Sequence, residues 1–242
     1  MAVRFASLRT KPTLKLAFKG LLFALLVLFA DEYPGSPFAI LIFIVAALFL
    51  YFRPRLNSLK FAASFIALAM APFVLPPLQI GEIATAIVLG AMFVLLLGVK
   101  NLVLVRRERW YAIVHTLILA IYGAALFSNP LRFFTETGAF ILFFLLFREF
   151  YRTMSALQGS RLALSSALQG LIAVELLIVL SLLPVGFVAE TLIFTITLVI
   201  FSDIFLHHLG GRLSRKLVLR DSTILILSAL IIMAFSGWGL AG

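Results

Sequence analysis

Cysteine is absent from this chain, which excludes disulfide bonds, thiolate catalysis and cysteine-ligated metals. Charge is scarce as well. Only 12% of the 242 residues are Asp, Glu, Lys or Arg, where a water-soluble domain carries about 25%. Acidic residues are the scarcer half, 10 against 20 Lys and Arg. What fills the chain instead is apolar: 63% of residues are hydrophobic and the mean hydropathy is +1.17. The apolar runs lack the polar stripe of a surface helix, and a helix crossing the hydrocarbon core needs about 20 such residues.

The sequence therefore predicts an all-α polytopic transmembrane bundle of about nine spans. They read as Leu16–Ala30, Pro37–Phe52, Phe61–Val74, Ile83–Val105, Trp110–Phe127, Leu131–Tyr151, Leu162–Leu183, Phe187–His207 and Ser222–Leu240. Short loops take the rest, so residues 1–242 read as one integral membrane domain with no soluble domain. Ser128-Asn129-Pro130 reads as a helix start with proline in the first turn, and Asp221 as the N-cap of the last span. A cleavable signal ending at Ala30 would place Leu28 at the third residue before the cut, a poor fit to the small residue needed there. The first span is read as retained, with Lys15 and Lys19 snorkelling to the interface.

Alternating the spans puts every Lys and Arg except Arg132 on one side of the membrane. Asp31, Glu32, Glu82, Glu136 and Glu190 fall on the other. The positive-inside rule then predicts a cytoplasmic N-terminus and an external C-terminus, with Trp110 and Trp238 at opposite interfaces. The net charge of +10 thus sets orientation and does not point to nucleic acid. Membrane lipids are the expected partners, anionic headgroups at the cytoplasmic face included, together with protein partner subunits. The compactness of the chain fits a prokaryotic cytoplasmic membrane.

Small residues let membrane helices approach. Ala63, Ala67 and Ala71 on the third span and Ala86, Gly90 and Gly98 on the fourth predict a tight hairpin of those two spans. Ala120 and Ala124 offer a similar face on the fifth. Pro72 is expected to kink the third span. Ser155–Gly159 recurs as Ser166–Gly170, which would put Gln158 and Gln169 on one face of a continuous helix.

Ionisable residues inside a membrane need a reason, at about 2.5–3.5 kcal/mol each on insertion scales. Glu175, near the middle of the seventh span, is a candidate proton or cation site, or a neutral carboxyl hydrogen-bonded between helices. Asp203 and His207, one turn apart on the eighth span, and His115 on the fifth are candidates for acid–base work or metal binding if their spans touch. Interface residues satisfied by loops and headgroups are the bland alternative. Arg212, Arg215 and Lys216 follow a Gly210-Gly211 turn, and such a turn with clustered cations suits a phosphate.

This stretch, Asp203 to Lys216, resembles the signature of CDP-diacylglycerol synthases and polyprenol or phytol kinases, in which an aspartate precedes a Gly-Arg-x-x-Gly-x-x-Lys turn. The resemblance implies a lipid-phosphate enzyme at the cytoplasmic face. It covers fewer than about twenty residues, an extra glycine shifts its register, Ser214 stands near the place of the second glycine, and no acidic residue follows Asp221. Paired intramembrane aspartates, His-Glu-x-x-His, P-loops and glycine-flanked nucleophilic serines are absent. No metal site or cofactor is assigned. A non-enzymatic integral component ranks first, a proton- or ion-coupled transporter centred on Glu175 second, and an enzyme around Asp203 and Arg212 third.

Overall fold

The computed structural model describes residues 2–33, 35–53, 58–75, 81–128, 136–155 and 159–236, without the side chains of 2–12 and 58. Arg132, the Pro76-Pro77 pair, the Asn129-Pro130 cap, Gln158 and Trp238 lie outside the described residues. Those described form nine α-helices and no strand: α1 Ala2–Glu32, α2 Pro37–Phe52, α3 Ala62–Val74, α4 Glu82–Lys100, α5 Arg107–Ser128, α6 Glu136–Met154, α7 Gly159–Ser181, α8 Phe187–Leu209 and α9 Arg215–Phe235. Six are long and apolar enough to cross a membrane: α1 from Thr13, α4, α5, α7, α8 and α9. The helices α2 and α3 are apolar but shorter, and α6 carries Glu136, Arg148, Glu149 and Arg152.

The chain divides into two compact units, residues 1–114 and 115–242. In the first, the principal packing is α1 against α4, and glycine decides it. A Cβ on Gly90 would stand 2.9 Å from the Ala24 Cβ and 2.9 Å from the Gly20 carbonyl oxygen. The small face of α4 thus meets Gly20 and Ala24 of α1, and the expected partnership with α3 is the lesser one. Periodicity identified the face of α4; it did not specify which helix would cover it. Above this crossing lies an aromatic core. Phe23 stacks on Phe93 at 4.3 Å and Tyr51 on Phe65 at 4.0 Å, with Phe43 edge-on to Phe73 at 5.3 Å. Pro72 lies in the last turns of α3, where few backbone bonds remain for it to interrupt.

Two lysines close the carboxyl end of α2. Lys19 of α1 donates to the Leu50 carbonyl at 2.9 Å and to that of Arg53. Lys100 of α4, fully buried, donates to the Tyr51 carbonyl, with its ammonium 4.2 Å from the centre of the Tyr51 ring. The last carbonyls of any helix have no partner within it, and a cation there also meets the negative end of the helix dipole. Lys19 therefore caps a neighbouring helix and does not reach out to headgroups, as its sequence position suggested.

In the second unit α6 packs closely on α7, and α8 lies against both α7 and α9. A Cβ on Gly170 would meet the Phe144 backbone at 3.1 and 3.3 Å. Beside it the buried Gln169 accepts from the Tyr151 hydroxyl at 3.4 Å and donates to the Leu198 carbonyl at 3.5 Å. One amide thereby ties α7 to α6 and to α8. On α5, Gly123 lies against Phe194 of α8, with Ala120 and Ala124 half-buried beside it in the sequence.

Gly90→Ala is expected to lower stability by about 1–3 kcal/mol, the cost of overpacking a well-filled contact. Gly186→Ala, with open space around its Cβ, should cost under about 1 kcal/mol, a capping effect only. Thermal unfolding of both detergent-solubilised variants followed by size-exclusion chromatography checks the ranking.

Candidate functional site at the end of helices α6 and α8

Helix α8 ends at a two-glycine turn. Gly211 has φ +65°, the left-handed conformation that glycine adopts without a Cβ penalty. The Arg212 N–H donates to the His207 carbonyl at 2.9 Å and the Gly211 N–H to His208 at 3.0 Å, a Schellman closure. Gly210 donates to Leu206 at 3.0 Å. These three N–H groups are consumed by the helix end, so the turn offers no backbone cradle for a phosphate. The glycines serve to stop α8, and only side chains remain to bind an anion.

The next helix starts earlier than its sequence suggested. Ser214 is the N-cap of α9, accepting from the Leu217 N–H at 3.2 Å. Asp221 lies inside the helix and is buried. Its carboxylate takes Arg220, with Nη2 and Nε both 2.8 Å from Oδ1, while its Oδ2 has no hydrogen-bond partner among the described residues. The same guanidinium stands 3.8 Å from Oδ2 of Asp203 on α8. Arg220 thus joins the end of α8 to the start of α9, a role the sequence reading missed. The available signal was an Arg-Asp pair one or two turns into an apolar helix, where neither charge has a reason to be unless it finds a partner.

Asp203 also faces His207, one turn on. Nδ1 of His207 is 3.5 Å from Oδ1 of Asp203 and 2.9 Å from the Asp203 carbonyl oxygen. A carbonyl only accepts, so Nδ1 of His207 carries a proton in this contact. Asp203, His207, Arg212 and Gly210, with Leu206 and Leu209 of α8 and Met154 and Ser155 at the end of α6, line a cavity of about 460 Å³, within the size range of small-ligand sites. Arg212, Arg215 and Lys216 are exposed and have no acidic partner among the described residues.

The other candidates stand elsewhere. His115 is buried against α6, stacked on Phe150 at 4.5 Å and edge-on to Phe147 at 5.4 Å. Among the described residues no three His, Asp or Glu side chains form a metal-holding group, so His115 does not join Asp203 and His207 in one. Glu175 lies on the exposed side of α7 and is not part of the cavity lining. Because α7 begins at Gly159, its midpoint falls near Gly170, and Glu175 lies about 8 Å further along the axis.

If Arg220 joins the two carboxylates, Arg220→Ala should destabilise the protein, and Asp221→Asn in the same chain should restore part of the loss. A double-mutant cycle on thermal unfolding checks this: strictly additive losses would show that the pair does not interact. No protein-family model, curated protein or solved structure matches this chain, and the chemistry of the cavity is read from its own residues.

Proposed function

We propose that the chain is a non-enzymatic integral component of a prokaryotic cytoplasmic membrane. It spans about nine times with its N-terminus in the cytoplasm, and the α6–α8 cavity seats the anionic headgroup of a membrane lipid. The observation that carries this reading is the meeting of helix ends. In the first unit Lys19 of α1 and Lys100 at the end of α4 converge on the carboxyl end of α2, as alternating spans require. In the second, the ends of α6 and α8 line the cavity and the start of α9 joins α8 through Arg220, the same alternation again. Each set of ends is also where the basic residues cluster.

The cavity's charge supports an anion. Asp203 is already faced by the Arg220 guanidinium, so its negative charge is partly offset. Arg212 is in the lining, and Arg215 and Lys216 follow it in the chain. A basic residue near an anionic bilayer surface contributes about 1 kcal/mol. The wall of Leu206, Leu209 and Met154 suits the glycerol and first methylenes of a lipid better than a free phosphate.

An enzymatic reading has one specific support, the Asp203–His207 pair one turn apart in the cavity lining. In it, His207 would be a general base toward a phosphorylated lipid or polyprenol substrate, oriented by Asp203. Glu175, outside the cavity, gives the transporter reading less.

The absence of cysteine makes the test direct, since single cysteines can be introduced into a silent background. Leu213→Cys should react with a membrane-impermeant maleimide only after the cytoplasmic face is opened, and Ser36→Cys in intact cells. The opposite pattern would overturn the orientation. Native mass spectrometry should show co-purifying anionic phospholipid, with roughly fivefold weaker retention in Arg212→Gln, the equivalent of about 1 kcal/mol. Equal retention would remove the headgroup site, and turnover of a lipid phosphate lost in Asp203→Asn would replace this reading with the enzymatic one.

A further inference from the structure

The lining of the α6–α8 cavity is graded along α8. Asp203 lies six residues before the helix ends at Leu209, about 9 Å of helix rise. Leu206 and His207 follow, and Arg212 comes last, past the two-glycine turn, with its N–H on the His207 carbonyl. The cation thus stands at the helix end and the carboxylate more than one turn inside it. That carboxylate is also short of donors. Nη2 of Arg220 is 3.8 Å from Oδ2 and Nδ1 of His207 is 3.5 Å from Oδ1, both beyond ordinary hydrogen-bond length. Nδ1 reaches the Asp203 carbonyl instead, at 2.9 Å, and the Ser155 hydroxyl donates to the Tyr151 carbonyl at 2.6 Å. With its side chain 45% exposed, Asp203 is open to a donor that enters the cavity.

We propose that the lipid taken by this cavity is a monoacyl glycerophospholipid, with its phosphate at Arg212 and its free glycerol hydroxyl donating to Asp203. The inference rests on the headgroup reading above and on α8 crossing the membrane with Leu209 toward the headgroup layer. A phospholipid in that orientation presents its groups in a fixed order from the bilayer interior outward: acyl chain, glycerol, phosphate. The cation at the helix end then meets the phosphate, and a residue more than one turn deeper meets the glycerol. In a diacyl lipid both remaining glycerol oxygens are esters, which only accept. A carboxylate also only accepts, so an ester placed against Asp203 displaces water and returns no hydrogen bond. In a monoacyl lipid one of those oxygens is a hydroxyl, and its O–H donates. A bond from O–H to a carboxylate is charge-assisted and about twice as strong as a neutral one. The guanidinium facing Asp203 pairs with it as a carboxylate, the form that accepts. Leu206, Leu209 and Met154 leave the rest of the glycerol and the single chain against apolar groups. A free phosphate would satisfy Arg212 and bring nothing to Asp203.

The test titrates the full-length protein in detergent with glycerol phosphates and reads bound lipid by native mass spectrometry. Monooleoyl glycerol phosphate should bind about tenfold more tightly than the same molecule with its free hydroxyl methylated, the lower range of what a hydrogen bond to a charged group contributes. The ether keeps the charge, the chain and an acceptor oxygen, and lacks only the donor. Dioleoyl phosphatidic acid should follow the ether. None of these lipids carries a headgroup alcohol, so the difference reports the glycerol hydroxyl. Asp203→Ala should bring the hydroxyl and ether forms within about twofold of each other, and Arg212→Gln should weaken both alike. The lipid comparison uses the unchanged chain, so it decides the matter whether or not Asp203→Ala folds. Equal binding of the hydroxyl and ether forms, with both weakened by Arg212→Gln, would overturn the hydroxyl contact and leave the headgroup site standing. A preference that persists in Asp203→Ala would also overturn the contact. Lipid binding untouched by Arg212→Gln would overturn the headgroup site and the hydroxyl contact together.

Discussion

Two ammonium groups on the carboxyl end of α2 set the geometry of the first unit. A lysine among apolar helices carries a desolvation cost, and so does a helix end whose carbonyls have no partner. Lys19 and Lys100 answer both at once by donating to Leu50, Tyr51 and Arg53. The consequence is register. The middle of α1 and the ends of α2 and α4 are held by charge-assisted bonds, each worth about 1.5–3 kcal/mol, and the aromatic pairs follow from that alignment. Tyr51 shows the coupling: its carbonyl takes Lys100, its ring faces the same ammonium, and that ring stacks on Phe65. Shifting α2 by one residue would break all three contacts.

The second unit uses neutral polarity at depth and charge only at its end. Gln169 bonds across to α6 and α8 at the level where Gly170 allows α7 to approach Phe144, so close packing and the polar tie reinforce each other. At the end of the unit Asp203, Arg220 and Asp221 form an ionic cluster. Glu175 breaks this division of labour. It is an acid on the exposed face of α7.

Helix content and the membrane class were legible in the sequence because both depend on local composition and period. Partner choice was not. The small residues of α4 marked a close contact without saying that Gly20 and Ala24 of α1 would fill it. Nothing local to Lys100 reveals that its side chain crosses to the carbonyl of Tyr51. Asp221 has the chemistry of an N-cap, but Ser214 also has it and lies nearer the turn that stops α8. For the candidate site, the sequence supplied Asp203, His207 and Arg212 of the cavity lining. It placed a binding role on Gly210 and Gly211 that the helix end itself takes up, and it overlooked Arg220.

That last residue decides what the cavity can hold. With Asp203 alone, an anion entering beside Arg212 would meet a carboxylate and lose much of what the cation offers. Arg220 approaches Asp203 from α9, turning the aspartate from a repelling charge into a structural joint and leaving the unpaired cations of the turn to set the local potential. The same joint explains why the site needs α9 at all, since that helix is otherwise almost entirely exposed, with Asp221 its one buried residue. Its packing on α8 includes the Arg220–Asp203 contact at the end of the unit.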